Sequence, residues 1–195
     1  MIVVLFGPPG SGKGTQAHRV AQRLGVPHVA TGDMLRAEVA RGSALGREAE
    51  PIMSSGKLVS DDLMVRIIES RLGEPDAAAG ALLDGFPRTV AQAQALDQML
   101  HRRGWRVDAV LALHVDDDEL RRRVLHRAEV EGRADDTAQA FDERLRTYRT
   151  RTAPVLDYYR GAGTRIADVD GVGDIDDVTE RIGNALAPDG AGATA

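Results

Sequence analysis

The five consecutive apolar residues Ile2-Val3-Val4-Leu5-Phe6 read as a strand buried on both faces. From Gln16 to Leu24 the apolar positions change to helical spacing, at Ala17, Val20, Ala21 and Leu24. Val26 to Ala30 is short and predicts a second strand. Thr31 then reads as the N-cap of a helix that contains Met34 and Leu35. Residues 31–59 are rich in helix formers but interrupted by Gly42, Gly46 and Gly56, which predicts two or three short helices forming a lobe. Ser60 is placed to cap a helix with Leu63, Met64, Ile67, Ile68 and Leu72 on one face.

Ala81-Leu82-Leu83-Asp84 predicts a buried strand ending on a carboxylate, and Gly85-Phe86-Pro87-Arg88 a sharp break. Thr89 to His101 is helical, with Ala91, Ala95, Leu96 and Leu100 at core spacing. Val107 to Val115 alternates and predicts a strand. A basic helix follows over Glu119 to Arg127, then a loop over Gly132 to Asp136. Thr137 to Tyr159 is a long helical stretch, with Phe141, Leu145, Tyr148 and Thr152 on one face, which Pro154 should kink or break. Thr164 to Val169 gives a last strand, and Asp174 to Leu186 a last helix carrying Ile175, Val178, Ile182 and Leu186. Strands alternating with helices predict an α/β fold whose parallel sheet is covered on both faces. Ligands of such folds bind at the carboxyl ends of the strands, the edge that Gly10, Thr31, Asp84 and Arg88 would share.

Composition narrows the classes. With 195 residues, 43 % of them hydrophobic, the chain suits one globular domain with small inserted lobes. A net charge of −5 does not favour a general nucleic-acid binder. Cysteine is absent, so disulfides and thiolate metal sites are excluded. No apolar stretch approaches the roughly 20 residues that cross a bilayer, and Met1 runs straight into the first strand without a signal peptide, so a cytoplasmic enzyme is expected. Residues 188–195 have little to bury and are expected to be disordered.

The candidate chemistry begins between the first strand and the first helix, in Gly7-Pro8-Pro9-Gly10-Ser11-Gly12-Lys13-Gly14-Thr15. Glycines let successive backbone N–H groups curl toward one anion, the helix N-terminus adds partial positive charge, and Lys13 adds a full one. The pattern G-x-x-x-x-G-K-[ST] is met except at its last position, where Gly14 stands and the hydroxyl comes one place later at Thr15. Gly14 cannot touch a magnesium ion, so either Thr15 serves another phosphate or the metal is held largely through water. Asp84, after a buried strand, either caps a turn or faces the metal opposite the loop, and the second is favoured because Gly14 offers no ligand. Arg36, Arg88, Arg123, Arg127, Arg133 and Arg144 come from separate regions and can converge on phosphates, Arg88 most clearly because it follows a strand end and a Gly-Phe-Pro turn. Arg121, Arg122, Arg146, Arg149 and Arg151 read as solvated surface charges. His18, His28, His101, His114 and His126 show no metal-ligand spacing and read as structural.

These motifs together resemble the adenylate kinase family over nearly the whole chain. Gly7 to Gln16 is similar to that family's phosphate loop, including the glycine after the lysine. Thr31-Gly32-Asp33-Met34-Leu35-Arg36 resembles the start of its nucleoside-monophosphate (NMP) lobe and Lys57-Leu58-Val59 the end. Asp84 to Arg88, with Gln92, resembles a second AMP-binding segment; Arg127 to Asp136 resembles the lid, and Arg144 the arginine on the helix after it. The resemblance implies a P-loop NTPase-type parallel sheet flanked by helices, with core segments 1–30, 60–126 and 137–187, an NMP-binding lobe at 31–59 and a short lid at 127–136. It implies that Gly10, Ser11, Gly12, Lys13, Gly14 and Thr15 hold ATP phosphates, that Arg127 stacks near the ATP base, and that backbone around Gly173 contacts that base. It implies AMP contacts from Thr31, Arg36, Lys57, Leu58, Val59, Gly85, Phe86, Pro87, Arg88, Gln92, Arg133 and Arg144. Lys13, Arg88, Arg123, Arg133 and Arg144 would surround the transferring group, and Asp84 would hold Mg²⁺ through water. The expected reaction is reversible Mg²⁺-dependent phosphoryl transfer from ATP to AMP, giving two ADP. A short lid without cysteine implies no zinc. The expected partners are nucleotides alone, without nucleic acid or membrane, bound by a cytoplasmic monomer. A UMP/CMP kinase on the same fold is the nearest rival; Thr31 and Gln92 argue against it by resemblance, because Gln92 suits an adenine edge.

Overall fold

The computed structural model describes residues 1–131 and 137–187. The loop expected at Gly132 to Asp136, with Arg133, and the tail at 188–195 lie outside the described residues. Strand β1 (Ile2–Phe6) leads into α1 (Lys13–Leu24), followed by β2 (His28–Ala30), α2 (Thr31–Ala40), α3 (Ala44–Ser54) and α4 (Asp61–Arg71). Then come β3 (Ala81–Asp84), α5 (Val90–His101), β4 (Val107–His114) and α6 (Asp117–Glu131). The chain resumes with α7 (Ala138–Thr147), α8 (Ala153–Gly161), β5 (Arg165–Asp170) and α9 (Ile175–Leu186).

The five strands form one parallel sheet in the order β2-β3-β1-β4-β5. The chain leaves β1 for one side of the sheet and later crosses to β4 on the other. The switch in direction therefore falls at the carboxyl end of β1, where such sheets open a crevice. Alternation along β1 assigns its residues to two cores. Ile2, Val4 and Phe6 pack on one sheet face with Ile68, Leu96 and Val155 from α4, α5 and α8. Val3 and Leu5 pack on the other with Val20 of α1 and Val178 and Ile182 of α9.

In β4, Ala109 to Leu113 are all buried, because helices cover both faces and alternation only divides one core from the other. Four local expectations are corrected. In α5 the buried apolar residues are Ala93, Leu96, Met99 and Leu100, while Ala91 is exposed. Ile175 also stays exposed on α9. Thr31 is not a cap; it is the first residue of α2, and its hydroxyl donates to the Gly85 carbonyl at 3.0 Å. The long helix does break, but ahead of Pro154: a π turn spans Tyr148–Thr152, and the proline sits in the first turn of α8, where its missing N–H costs nothing.

Candidate active site

The loop between β1 and α1 takes its shape from three glycines with positive φ, of which Gly10 (φ 86°) is the most constrained. A β-carbon there would stand 2.7 Å from the Leu120 carbonyl oxygen, so α6 lies directly on the loop. Gly12 (φ 89°) closes the loop as the N-cap of α1 and makes Lys13 the first helical residue. The Lys13 ammonium folds back to donate to the carbonyls of Gly7 at 2.7 Å and Pro8 at 2.9 Å. Burial lowers the Lys13 pKa to about 8; Asp84 opposes this shift, and Arg88, Arg127 and Arg144 add to it.

Asp84 ends β3 beside the loop, and its Oδ2 lies 4.0 Å from the β-carbon position of Gly14. Burial pushes its carboxyl up, but a 3.4 Å contact with His28 Nε2 and the charges of Lys13 and Arg88 outweigh that and hold it below the usual carboxylate range. Arg88 follows after Gly85-Phe86-Pro87. Its Nε donates to the Gly85 carbonyl at 2.7 Å, and its own carbonyl accepts from Thr152 at 3.0 Å. Burial depresses the Arg88 guanidinium, Asp84 supports its charge, and Arg144 and Arg36 oppose it. The floor of the cleft thus carries surplus positive charge facing two carboxylates, Asp84 and Asp33, the latter accepting from Arg36 Nη2 at 2.5 Å.

Two hollows meet here. The central one, of about 410 Å³, is lined by the glycine loop from Gly7 to Thr15, by Asp84 to Arg88, and by Arg36, Arg127 and Arg144. The second runs under α2 and α3 along Thr31, Leu35, Lys57, Leu58, Val59, Met64 and Gln92. Arg36, Gly85, Arg88 and Arg144 line both. Gln92 is buried in the wall of the second hollow, its Oε1 accepting from the Arg88 main-chain N–H at 2.7 Å and its Nε2 donating to Asp61 at 2.7 Å. Phe86 is buried in the core and also borders the central space, which Pro87 lines as well.

The two hollows share a cationic junction of Arg36, Arg88 and Arg144. Residues 5–164 match the family model described as adenylate kinase. The chain is 52 % identical over 182 residues to an adenylate kinase of Stenotrophomonas maltophilia (strain K279a), covering 93 % of this chain and 97 % of the relative. It is 51 % identical over 186 residues to an adenylate kinase of Xanthomonas axonopodis pv. citri (strain 306), covering 95 % and 99 %, and 48 % identical over 192 residues to one of Caulobacter vibrioides (strain NA1000 / CB15N), covering 98 % and 100 %. The chain belongs to the adenylate kinase family.

As expected of this family, the chain is a nucleoside monophosphate kinase, a transferase acting on adenine nucleotides. Among the described residues, no helix is long and apolar enough to cross a membrane.

Arg123 and Arg127, one turn apart on α6, separate in the structure. Arg127 lines the central hollow. Arg123 does not line that hollow but lies beside the loop: Glu119 accepts from its Nε at 2.6 Å, the Gly171 carbonyl accepts from its Nη1 at 3.1 Å, and that Nη1 stands 3.8 Å from the β-carbon position of Gly12. Gly171 packs on the loop: a β-carbon there would lie 3.4 Å from the Ser11 carbonyl oxygen, whereas one at Gly173 would meet Arg181. Arg121, Arg122, Arg146 and Arg149 form surface ion pairs with Asp142, Glu119, Glu143 and Asp117.

The residues that pattern reading missed are Asp61 and His28. Asp61 looks like an ordinary acid in the first turn of α4, and His28 like a strand residue. Only the parallel pairing of β2 with β3, with Ala30 level with Asp84, brings His28 to the carboxylate.

The residues fit magnesium. Mg²⁺ retains several waters and takes one or two carboxylates plus phosphate oxygens, and an ionised Asp84 beside the Gly14 gap is such a carboxylate. Among the described residues no group of three or more His, Asp or Glu side chains surrounds a metal position, so most ligands would come from nucleotide and water.

Proposed function

We propose that ATP lies on the glycine loop with its polyphosphate against Gly10 to Thr15, that AMP fills the hollow under residues 31–59, and that the phosphoryl group passes directly between them. The observation that carries this reading is the convergence of Lys13, Arg88, Arg127 and Arg144 on the central hollow, with Arg36, Arg88 and Arg144 shared with the second. An oxygen of the AMP phosphate attacks the γ-phosphorus in line. The bond from that phosphorus to the β–γ bridging oxygen breaks, and two ADP result. No protein nucleophile takes part. The barrier is electrostatic, since one like-charge pair at 4 Å costs about 4 kcal/mol at an effective dielectric of 20. Pre-placed cations offset it without reorganising during the step.

The roles follow from position. Lys13 and Arg127 hold the β- and γ-phosphates, while Arg88, Arg144 and Arg36 hold the AMP phosphate. Thr31, Lys57, Leu58, Val59, Gly85 and Gln92 enclose the AMP nucleoside. Arg123 and the backbone near Gly171 flank the loop on the ATP-base side, which exchanges the two α6 arginines relative to the expectation from resemblance. Asp84 would hold a hydrated Mg²⁺, which would supply charge neutralisation to the polyphosphate. Arg133 joins this reading on its motif alone. A core of 1–30, 60–126 and 137–187 with a 31–59 lobe and a 127–136 lid, a monomeric state, a cytoplasmic location and the absence of zinc complete the proposal.

ADP formation from ATP plus AMP, measured beside CMP and UMP as acceptors, tests it. AMP should be preferred by a wide margin, and a bisubstrate analogue joining two adenosines through five phosphates should bind tightly. Equal use of CMP, or weak binding of the analogue, would defeat it.

A further inference from the structure

We infer that Asp61 is a specificity-determining positioning residue: it locks the Gln92 amide in the orientation that accepts a 6-amino purine and refuses a 6-oxo purine. This rests on the proposed placement of the AMP base against Gln92.

A glutamine amide can be turned end for end with little change in shape, so its neighbours decide which way it reads. Here both ends are specified. Asp61 Oδ1 lies 2.7 Å from Nε2, and the main-chain N–H of Arg88 lies 2.7 Å from Oε1. An ionised carboxylate only accepts and a peptide N–H only donates, so the amide has one consistent orientation. The carboxylate is itself held, because its Oδ2 accepts from the Thr89 hydroxyl at 3.0 Å. The same hydroxyl oxygen caps α5 by accepting from the Gln92 N–H at 3.1 Å. Asp61 does not line the nucleotide hollow, so it acts through Gln92.

The locked amide has one proton on Nε2 and one lone pair on Oε1 still unused. Together they match the adenine edge, where the 6-amino group donates and N1 accepts. Hypoxanthine presents the reverse, an accepting O6 and a donating N1–H, and would need the amide turned over. Turning it sets Oε1 against the Asp61 carboxylate and Nε2 against the Arg88 N–H, losing two hydrogen bonds, one of them charge-assisted.

The test compares AMP and IMP as acceptors in wild type, Asp61→Asn and Gln92→Ala. Asparagine at 61 can donate as well as accept, so it removes half of the lock. The AMP-over-IMP ratio of kcat/KM should fall about tenfold, the scale of one charge-assisted hydrogen bond. A folded Asp61→Asn protein with an unchanged ratio, and only a lowered Tm, would overturn the inference by reducing Asp61 to a tie between α4 and α5. Gln92→Ala separates the two levels. If it collapses the ratio while Asp61→Asn does not, Asp61 alone loses its role. If it too leaves the ratio unchanged, the base does not sit at Gln92 and both readings fall. NMR on the wild type does not depend on variant folding: one Gln92 Nε2 proton should be protected from exchange without nucleotide and the second only with AMP. Two freely exchanging protons in the AMP complex would also overturn it.

Discussion

The Lys13 ammonium lies 2.7 Å from the Gly7 carbonyl oxygen, so the cation that should meet ATP is turned inward on its own loop. With the Lys13 pKa near 8, a share of the nucleotide-free protein lacks this proton above that pH. Polyphosphate restores the charged form. ATP binding at pH 8.5 should therefore take up a fraction of a proton, and binding at pH 6.5 almost none. Calorimetry in buffers of different ionisation enthalpy measures this, and Lys13→Met should abolish it. For stability the sign follows from a folded pKa below the unfolded one. From about pH 8 to about 10.5 the unfolded chain binds more protons at this site, so Lys13 adds to stability as pH rises. Turnover of Lys13→Met should drop by at least about 10²-fold, as when a preorganised charge is removed.

Arg88 is held by its own backbone segment, with Nε on the Gly85 carbonyl and its main-chain N–H on Gln92. Its charge is disfavoured before ligands arrive, because burial and the nearby Arg144 and Arg36 oppose it. Arg88→Ala should leave the nucleotide-free Tm within a few degrees of wild type and lower kcat at least about 10²-fold. Arg88→Lys should recover little of that, since a point charge cannot reproduce the planar fork. Steady-state kinetics on folded variants decides, and near-normal turnover in either would remove Arg88 from the reacting centre.

Asp84 answers several cations at once, and its carboxyl is held low chiefly because the His28 bond and the Lys13 charge overcome its burial. A depressed carboxyl pKa gives stability that is present above the unfolded value and lost as pH falls through the folded one. Asp84→Asn should flatten the acid limb of the unfolding curve. If Asp84 orients hydrated Mg²⁺, the same variant should raise the Mg²⁺ concentration needed for half-maximal rate several-fold. A Mg²⁺ titration of rate at fixed ATP measures this, and an unshifted midpoint would leave Asp84 a structural counter-ion only.

Sequence pattern exposes local features of this molecule and hides those made at a distance. The glycine loop, the Asp84 strand end and Arg88 are legible because each is a short run with one physical use: positive φ, a strand terminus, a sharp turn. Thr31 misleads because a threonine before a helix usually caps it, and only tertiary proximity gives its hydroxyl the Gly85 carbonyl instead. Arg123 and Arg127 share a helix face by spacing, yet the carbonyl of Gly171 takes one and the cleft the other. Asp61 is invisible for the same reason: its partners lie 28 and 31 residues away, at Thr89 and Gln92.

The wall of the second hollow depends on how closely α2 and α3 approach, and Gly46 sets that distance. A β-carbon at Gly46 would overlap the Glu38 carbonyl oxygen at the far end of α2, while Ser43 caps α3 by accepting from the Gly46 N–H at 2.9 Å. Gly46→Ala must push the two helices apart, since backbone on the other side cannot move aside as a side chain would. Such overpacking costs about 1–3 kcal/mol. The strain should appear as displacement of α2, whose Thr31, Leu35 and Arg36 line the hollow. KM for AMP should rise several-fold while KM for ATP stays within about twofold, since the glycine loop lies on the opposite side of the junction. Equal changes in both constants would mean that residues 31–59 do not serve one nucleotide selectively.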